Sequence, residues 1–419
     1  GEYENLLFLE TVRMLKLKQP NDVVVALVSH LPSLGGDDGE LKTKPTQHAV
    51  RNLNSVGLHP DIIIARAKVS LDSKRKEKIA FHCGTDRRDV ISAPNVSSIY
   101  EVPTNFLKDH VDTTLMEKLG LKSKKGDFTE WKNLARKTKT VKSLVKFAIV
   151  GKYFDTGNFI LTDAYISVIE AIKHAAYAEG KKPVIEWLNA EEYEKDKKNL
   201  RTLSSYDGVI VPGGFGKRGV EGKINVVQYA RENKIPYLGL CYGMQMAVIE
   251  FARHIAKMKN AHTTEVNPDT SYPVIDILPE QKKLMEDKNY GGTMRLGAYP
   301  AKVAKGTIAH HAYYKSGNPT SYKLQATSLT VSERHRHRYE VNPDYIKRLE
   351  KAGLIFSGRS PSDTLMEIAE LPKNKHPFFL ATQFHPELKS RPLDPHPLFL
   401  AFVKATDNKN SKSKAPNSK

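Results

Sequence analysis

Short apolar runs alternate with amphipathic stretches along most of the chain. Residues 23–28 (VVVALV), 62–66 (IIIAR), 145–150 (VKFAIV), 184–187 (VIEW), 206–211 (YDGVIV), 235–240 (IPYLGL) and 378–382 (FFLAT) show little polar alternation. That is the pattern of strands covered on both faces, as in parallel sheets. Residues 79–83, 89–91 and 98–103 predict further short strands. Helical periodicity marks residues 6–20, 49–56, 105–119, 163–178, 224–232 and 244–254. Strands separated by helices of this length predict an α/β fold class, here two doubly wound α/β domains. Residues 122–142 turn basic and less apolar, and are expected to link a domain at 1–121 to one at 143–405. A Lys/Asn/Ser tail at 406–419 is expected to be disordered. No internal repeat is visible.

Composition refines this picture only modestly. A hydrophobic content of 40% is ordinary for a globular chain, and no run of 18 apolar residues predicts a membrane span. Cys83 and Cys241 are the two cysteines, too few for a disulfide framework and suited to a reducing cytosol, so a cytoplasmic location is expected. The formal charge is +18; from Lys404 onward five Lys and one Asp supply +4, leaving +14 on the rest. Such a balance favours phosphorylated partners. The basic residues are not interleaved with aromatics, and no nucleic-acid motif is present, so nucleotides are expected and nucleic acid is not.

Candidate chemistry sits in three places. An apolar run leads into Gly239-Leu240-Cys241-Tyr242-Gly243, followed by a helical pattern. This is the form of a nucleophile elbow with Cys in place of Ser, and a helix N-terminus favours the thiolate. A buried structural cysteine is the alternative reading. His385-Pro386-Glu387 closes the strand at 378–384. In an extended chain His385 and Glu387 leave the same face, so Glu387 orients the imidazole and His385 serves as base. Gly213-Gly214, after another strand, and the Tyr242 N–H are candidates for an oxyanion hole. Third, Lys42-Thr43-Lys44-Pro45-Thr46-Gln47 opens a helix with charge, hydroxyls and free N–H groups, a grip for phosphate or a solvated loop. The His335/His337 pair is interleaved with Arg334, Arg336 and Arg338, whose cations argue against a metal site.

These motifs together resemble a class I (triad) glutamine amidotransferase domain over about residues 144–405. Residues 212–216 (PGGFG), 239–245 (GLCYGMQ) and 385–387 (HPE) carry that resemblance. Residues 42–47 (KTKPTQ), 218–223 (RGVEGK), 291–297 (GGTMRLG) and 334–342 (RHRHRYEVN) narrow it to the CTP synthase family, over nearly the whole chain. The resemblance implies a flavodoxin-like amidotransferase domain and a synthetase (amidoligase) domain. It implies glutamine hydrolysis at a Cys241–His385–Glu387 triad. Glutamine is then held by Gly213, Gly214, Tyr242, Gly243, Met244, Gln245, Glu265 and Arg338. Released ammonia aminates UTP to CTP, with ATP and Mg2+ used in the full enzyme. UTP, or CTP as feedback inhibitor, is expected at Glu2, Tyr3, Glu4, the loop Lys42, Thr43, Lys44, Pro45, Thr46 and Gln47, and Lys78. Glu2 or Glu4 is also the candidate metal ligand, although the family favours Asp at the first position. Arg295 is the candidate for a response to GTP, the family's activator. Homotetramers and filaments are likewise implied for the full-length enzyme.

The family's synthetase domain opens on a glycine-rich P-loop for ATP, and these 419 residues contain none. A partial synthetase domain is therefore expected at 1–121, with at most glutaminase activity in the chain. The alternatives are another triad amidotransferase or γ-glutamyl hydrolase, which leaves residues 42–47 unexplained, or a non-catalytic nucleotide-binding or filament module.

Overall fold

The computed structural model describes residues 2–34, 40–122, 126–152, 155–156, 159–160, 165–277, 294–315, 322–324 and 329–407. The tail from 408, residues 291–293 of the GGTMRLG stretch and the Glu2 side chain lie outside the described residues. Two compact units divide the chain, Gly1–Lys139 and Thr140–Lys419.

In the first unit, helix α1 (Glu2–Lys18) precedes strand β1 (Ala26–His30), helix α2 (Lys44–Ser55), β2 (Ile62–Ala67), α3 (Ser73–Cys83) and β3 (Val90–Pro94). Helices α4 (Val102–Lys108), α5 (Val111–Lys118) and α6 (Thr129–Thr140) follow. The three strands form a parallel sheet in the order β1-β2-β3. Alternate residues of β2 explain its continuous hydrophobicity. Ile63, Ala65 and Ala67 pack with Ile79 and Cys83 on one face, and Ile62 packs with Ile91 and Val111 on the other.

Three expectations fail here. Residues 79–83 end a helix. The Asp72 carboxylate caps α3 by accepting the Arg75 N–H at 2.7 Å, and Gly84 ends it in the left-handed region. The run Lys74-Arg75-Lys76 hides an apolar face carried by Ile79, Ala80 and Cys83. Residues 98–103 form a 3-10 turn running into α4, with Ser98 capping the Tyr100 N–H and Pro103 in the first helical turn. The single helix expected over 105–119 breaks at His110, whose φ of 55° cannot continue a helix. Within residues 122–142, α6 is ordered, and the Trp131 indole N–H donates to the Tyr100 carbonyl at 2.8 Å.

The second unit carries β4 (Leu144–Gly151), α7 (Ile166–Ala178), β5 (Lys182–Asn189), α8 (Ala190–Lys195), β6 (Gly208–Val211), α9 (Val220–Glu232), β7 (Tyr237–Leu240) and α10 (Tyr242–His254). After these come β8 (Arg295–Val303), α11 (Ile308–Lys315), β9 (Tyr322–Leu324), β10 (Leu329–His337), α12 (Pro343–Lys351), β11 (Ile355–Arg359), β12 (Met366–Glu370), β13 (Phe379–Thr382) and α13 (Pro397–Ala405). Ten strands make one sheet in the order β9-β10-β8-β11-β12-β13-β7-β6-β4-β5. The run β13-β7-β6-β4-β5 is parallel, and the rest are antiparallel. Two cores cover the two faces of the parallel part. Ala148, Val209, Val211, Tyr237 and Ala381 pack with α9 and α10, whereas Phe147, Ile149, Ile210, Leu238 and Leu380 pack with α7 and α13. Adjacent residues of one strand thus enter opposite cores. This topology brings the carboxyl ends of β6, β7 and β13 side by side, where open α/β sheets place their sites.

Candidate active site

Strand β7 ends at Cys241, which adopts φ 50° and ψ −99°. An L-residue in this region costs on the order of 1–3 kcal/mol and needs to be held. It is held from both sides. The Cys241 N–H donates to the Thr382 carbonyl of β13 at 2.6 Å, and its own carbonyl accepts from Met244 and Gln245 N–H at 3.0 and 3.2 Å. Gly243 lets α10 dock, because a Cβ there would lie 2.1 Å from the Val211 carbonyl oxygen. The turn therefore leaves the thiol at the start of α10, where the first N–H groups lack helical acceptors.

The end of β13 supplies the partner groups. His385 N–H donates to the Arg334 carbonyl of β10 at 2.8 Å, and a short 3-10 turn (Pro386–Lys389) starts immediately afterwards. The expected extended geometry at His385–Glu387 is thus replaced by a turn. The turn still brings His385 Nδ1 to 2.7 Å from Glu387 Oε1. Both residues are largely buried. Burial opposes a charged imidazole, but Cys241 and Glu387 beside it outweigh that and hold the His385 pKa well above its ordinary value. Gln383, which sequence reasoning missed, donates from Nε2 to Cys241 Sγ at 3.7 Å. Only the pairing of β7 with β13 could have revealed it.

Gly213, just beyond β6, makes room for the His385 imidazole. A Cβ at Gly213 would stand 2.9 Å from His385 Cε1 and 3.7 Å from Cys241 Cβ. The neighbour that requires its missing side chain is the imidazole. The following loop is clamped. Gly216 N–H donates to Glu265 Oε1 at 2.7 Å, the Tyr242 hydroxyl donates to the Gly216 carbonyl at 2.8 Å, and the Lys152 amine donates to the Phe215 carbonyl.

A cavity of about 700 Å³ joins these groups. Its lining includes Gly213, Gly214, Cys241, Tyr242, Gln245, Glu265, Arg338, His385 and Glu387. Met244 and Gly243 are buried behind it, and Gln245 Nε2 donates to the Tyr339 carbonyl at 3.1 Å. Burial raises the Glu265 pKa, while the Gly216 N–H, Lys152, Arg338 and Lys223 pull it back only in part. A partly desolvated carboxyl facing a cavity suits an incoming ammonium group. Lys223 on α9 is fully buried. Burial and then the Lys152 cation bring its amine down to about 7, against the pull of Glu194 and Glu265.

The histidine pair lies beside this cavity. His335 Nδ1 and His337 Nε2 are 2.9 Å apart, and burial holds both rings neutral, at about 2 and about 3 respectively. Arg295 bridges Glu340 and Glu367 at 3.0 and 2.9 Å and lies over the Tyr299 ring. Its charge is therefore engaged inside the protein.

In the first unit, Lys44 and Pro45 are exposed at the start of α2, with Lys42 half-exposed just before it. Thr43, Thr46 and Gln47 are buried. The Thr46 hydroxyl meets Ser29 Oγ at 2.9 Å, and Gln47 Nε2 donates to Thr43 Oγ1 at 3.3 Å. Lys42 pairs with Glu40 at 2.7 Å, and Lys78 is near enough to add its pull on that carboxylate. Tyr3 and Glu4 are exposed on α1. Among the described residues no group of three or more His, Cys, Asp or Glu is arranged to hold a metal ion.

Comparison with known proteins now decides the family. The description "CTP synthase N-terminus" matches residues 1–121, and "Glutamine amidotransferase class-I" matches residues 160–405. A CTP synthase of Caldanaerobacter subterraneus is 48% identical over 97% of this chain and 72% of its own length. The chain belongs to the CTP synthase family. Another member of the CTP synthase family, from Pyrococcus abyssi, is 46% identical over 97% of this chain and 71% of its own length. A solved glutaminase domain of Trypanosoma brucei CTPS, with bound acivicin, is 37% identical. It covers 63% of this chain and 94% of that domain, with a TM-score of 0.55. The second unit is thus a mixed α/β amidotransferase fold of class I, and the CTP synthase family assignment makes the chain an enzyme of that kind. No helix among the described residues is long and apolar enough to cross a membrane.

Proposed function

We propose that the second unit hydrolyses glutamine at Cys241, His385 and Glu387, and that the ammonia serves amination of UTP to CTP. The observation that carries this reading is the 2.7 Å contact from His385 Nδ1 to Glu387 Oε1, with the same imidazole packed against Gly213 and Cys241 in one cavity. Glu387 accepts a hydrogen bond from Nδ1–H and fixes the tautomer. Nε2 already holds the proton drawn from the thiol, so sulfur attacks the γ-carboxamide carbon as the thiolate. N–H groups at Tyr242 and Gly214 receive the developing oxyanion. The C–N bond breaks as Nε2–H protonates the leaving nitrogen, and ammonia departs from a thioester. Water, deprotonated by His385, then opens the thioester to glutamate and free thiol. Glu265 meets the α-ammonium and Arg338 the α-carboxylate.

For the first unit, Lys42, Lys44, Lys78 and the start of α2 support a triphosphate-binding role, shared by UTP and CTP. The family implies ATP and Mg2+; the described residues offer no carboxylate cluster for that metal. A cytoplasmic setting is consistent with both units.

The test is direct. Cys241→Ala is expected to lower glutamine hydrolysis by roughly 10⁴-fold or more. A glutamine-like chloroketone is expected to label Cys241 in the parent chain, with glutamine protecting it. Hydrolysis that survives in the variant, or labelling that glutamine does not slow, refutes the reading.

A further inference from the structure

Lys223 sits on the inner face of α9 with none of its surface exposed, and its Nζ makes no hydrogen bond among the described residues. An unpaired buried amine is costly. This one lies beneath the glycine loop of the active site. Nζ stands 4.9 Å from the centroid of the Tyr242 ring and 3.8 Å from the point where a Cβ on Gly214 would be. Farther along the loop, the Phe215 and Gly216 carbonyls are already held by Lys152 and Tyr242. The Gly213 and Gly214 carbonyls take no hydrogen bond from any described residue. An unpaired donor thus underlies the part of the loop whose acceptors are unpaired.

In a trans peptide the C=O and the following N–H point in opposite directions. Turning the Gly213 carbonyl down toward Lys223 turns the Gly214 N–H up toward Cys241. Both flanking residues are glycine, so no side chain opposes the rotation. We propose that Lys223 is a positioning residue, whose amine takes the Gly213 carbonyl and thereby aims the Gly214 N–H at the oxyanion formed on Cys241. This rests on the glutaminase reading above and adds to it the group that sets the oxyanion donor. The charged groups facing the amine are Lys152, Glu194 and Glu265. A neutral amine still carries N–H donors, though weaker ones than an ammonium, so the role does not require Lys223 to be protonated.

Lys223→Met keeps the length and removes the donor. The expected result is a fall in kcat for glutamine of roughly 10–100-fold, with KM within about threefold. Alkylation of Cys241 by iodoacetamide forms no oxyanion and is expected to keep its parent rate. The γ-aldehyde analogue of glutamine, which adds to the thiol as a tetrahedral adduct, is expected to bind more weakly by the same factor as kcat. The thermal midpoint should hold or rise, since an unpaired buried amine has gone. Lys223→Gln retains an N–H donor and should recover part of the loss. An unchanged kcat, or a fall shared by kcat, alkylation rate and thermal midpoint in both variants, overturns the proposal. Glutamine hydrolysis that survives Cys241→Ala would instead remove the reading beneath it.

Discussion

At Cys241 every group is held by something buried. Thr382 fixes the backbone, Gly213 makes room for His385, and Glu387 orients the ring from a 3-10 turn. At residues 42–47 the reverse holds: Lys44 is exposed, Lys42 is tied to a solvated carboxylate, and the hydroxyls and amide satisfy one another. The contrast fits the chemistry proposed for each region. Covalent attack needs groups placed to a fraction of an ångström in a water-poor setting, and close packing supplies that. Holding a triphosphate needs charge within reach, and flexible lysines supply that without a rigid frame. A change in packing should therefore be severe at the first region and slight at the second.

The largest effect is expected from Gly243→Ala. Its new methyl would stand 2.1 Å from the Val211 carbonyl oxygen, a backbone atom that cannot rotate away. Overpacking of this kind costs on the order of 3 kcal/mol, a large share of a domain's total stability. We expect a thermal midpoint lower by roughly 10 °C, or no soluble second unit, measured by circular dichroism. A variant with parent stability and parent glutaminase activity would show that α10 can dock without the glycine, and would blunt the contrast.

This contrast also explains what could be read from the chain alone. The parallel strands of both units were legible because burial on two faces leaves an unbroken apolar run, as at residues 147–150 and 62–65. Helix α3 was not, since its basic first turns mask the period of Ile79, Ala80 and Cys83. Cys241, His385 and Glu387 stood out because an elbow and a His-Pro-Glu turn are local in sequence. Gln383 did not, and Lys223 entered only within the 218–223 stretch, with no role of its own. One reaches the thiol through pairing of β7 with β13, and the other reaches the glycine loop through the packing of α9. Contacts that arise only from topology leave no pattern in a single sequence.

Gly213→Ala is the next effect in size and separates placement from folding. Its methyl would meet His385 Cε1 at 2.9 Å, a side-chain atom that can yield, so the protein should still fold. The cost then falls on the base. A displacement near 1 Å is worth roughly 10²-fold in rate. We expect kcat to fall by about that factor and alkylation of Cys241 to slow with it, because the base no longer reaches the thiol. Alkylation at the parent rate would show that His385 keeps its place and that the glycine serves the oxyanion alone.

The smallest effect concerns the lysine loop, and there the sign carries the information. Lys42→Ala should weaken UTP binding by about tenfold at low salt, less at high salt, with no change in thermal midpoint. Lys42 is already engaged by Glu40 at 2.7 Å, and the Lys42 ammonium, with Lys78 and Arg75 behind it, holds the Glu40 carboxyl below the usual carboxylate range. On the proposed reading, a triphosphate displaces Glu40 from Lys42 and sits beside its negative charge. Glu40→Gln removes both obstacles and keeps the side chain's length. It should tighten UTP binding by a few-fold, and the gain should shrink as salt rises. Glutamine hydrolysis without nucleotide should be unaffected, as should the thermal midpoint, because an exposed pair of this kind adds little to stability. Calorimetric titration of UTP at two ionic strengths decides the point. Weaker binding by Glu40→Gln would mean that the carboxylate orients Lys42 for the phosphate, and that this loop, like the thiol site, depends on fixed geometry.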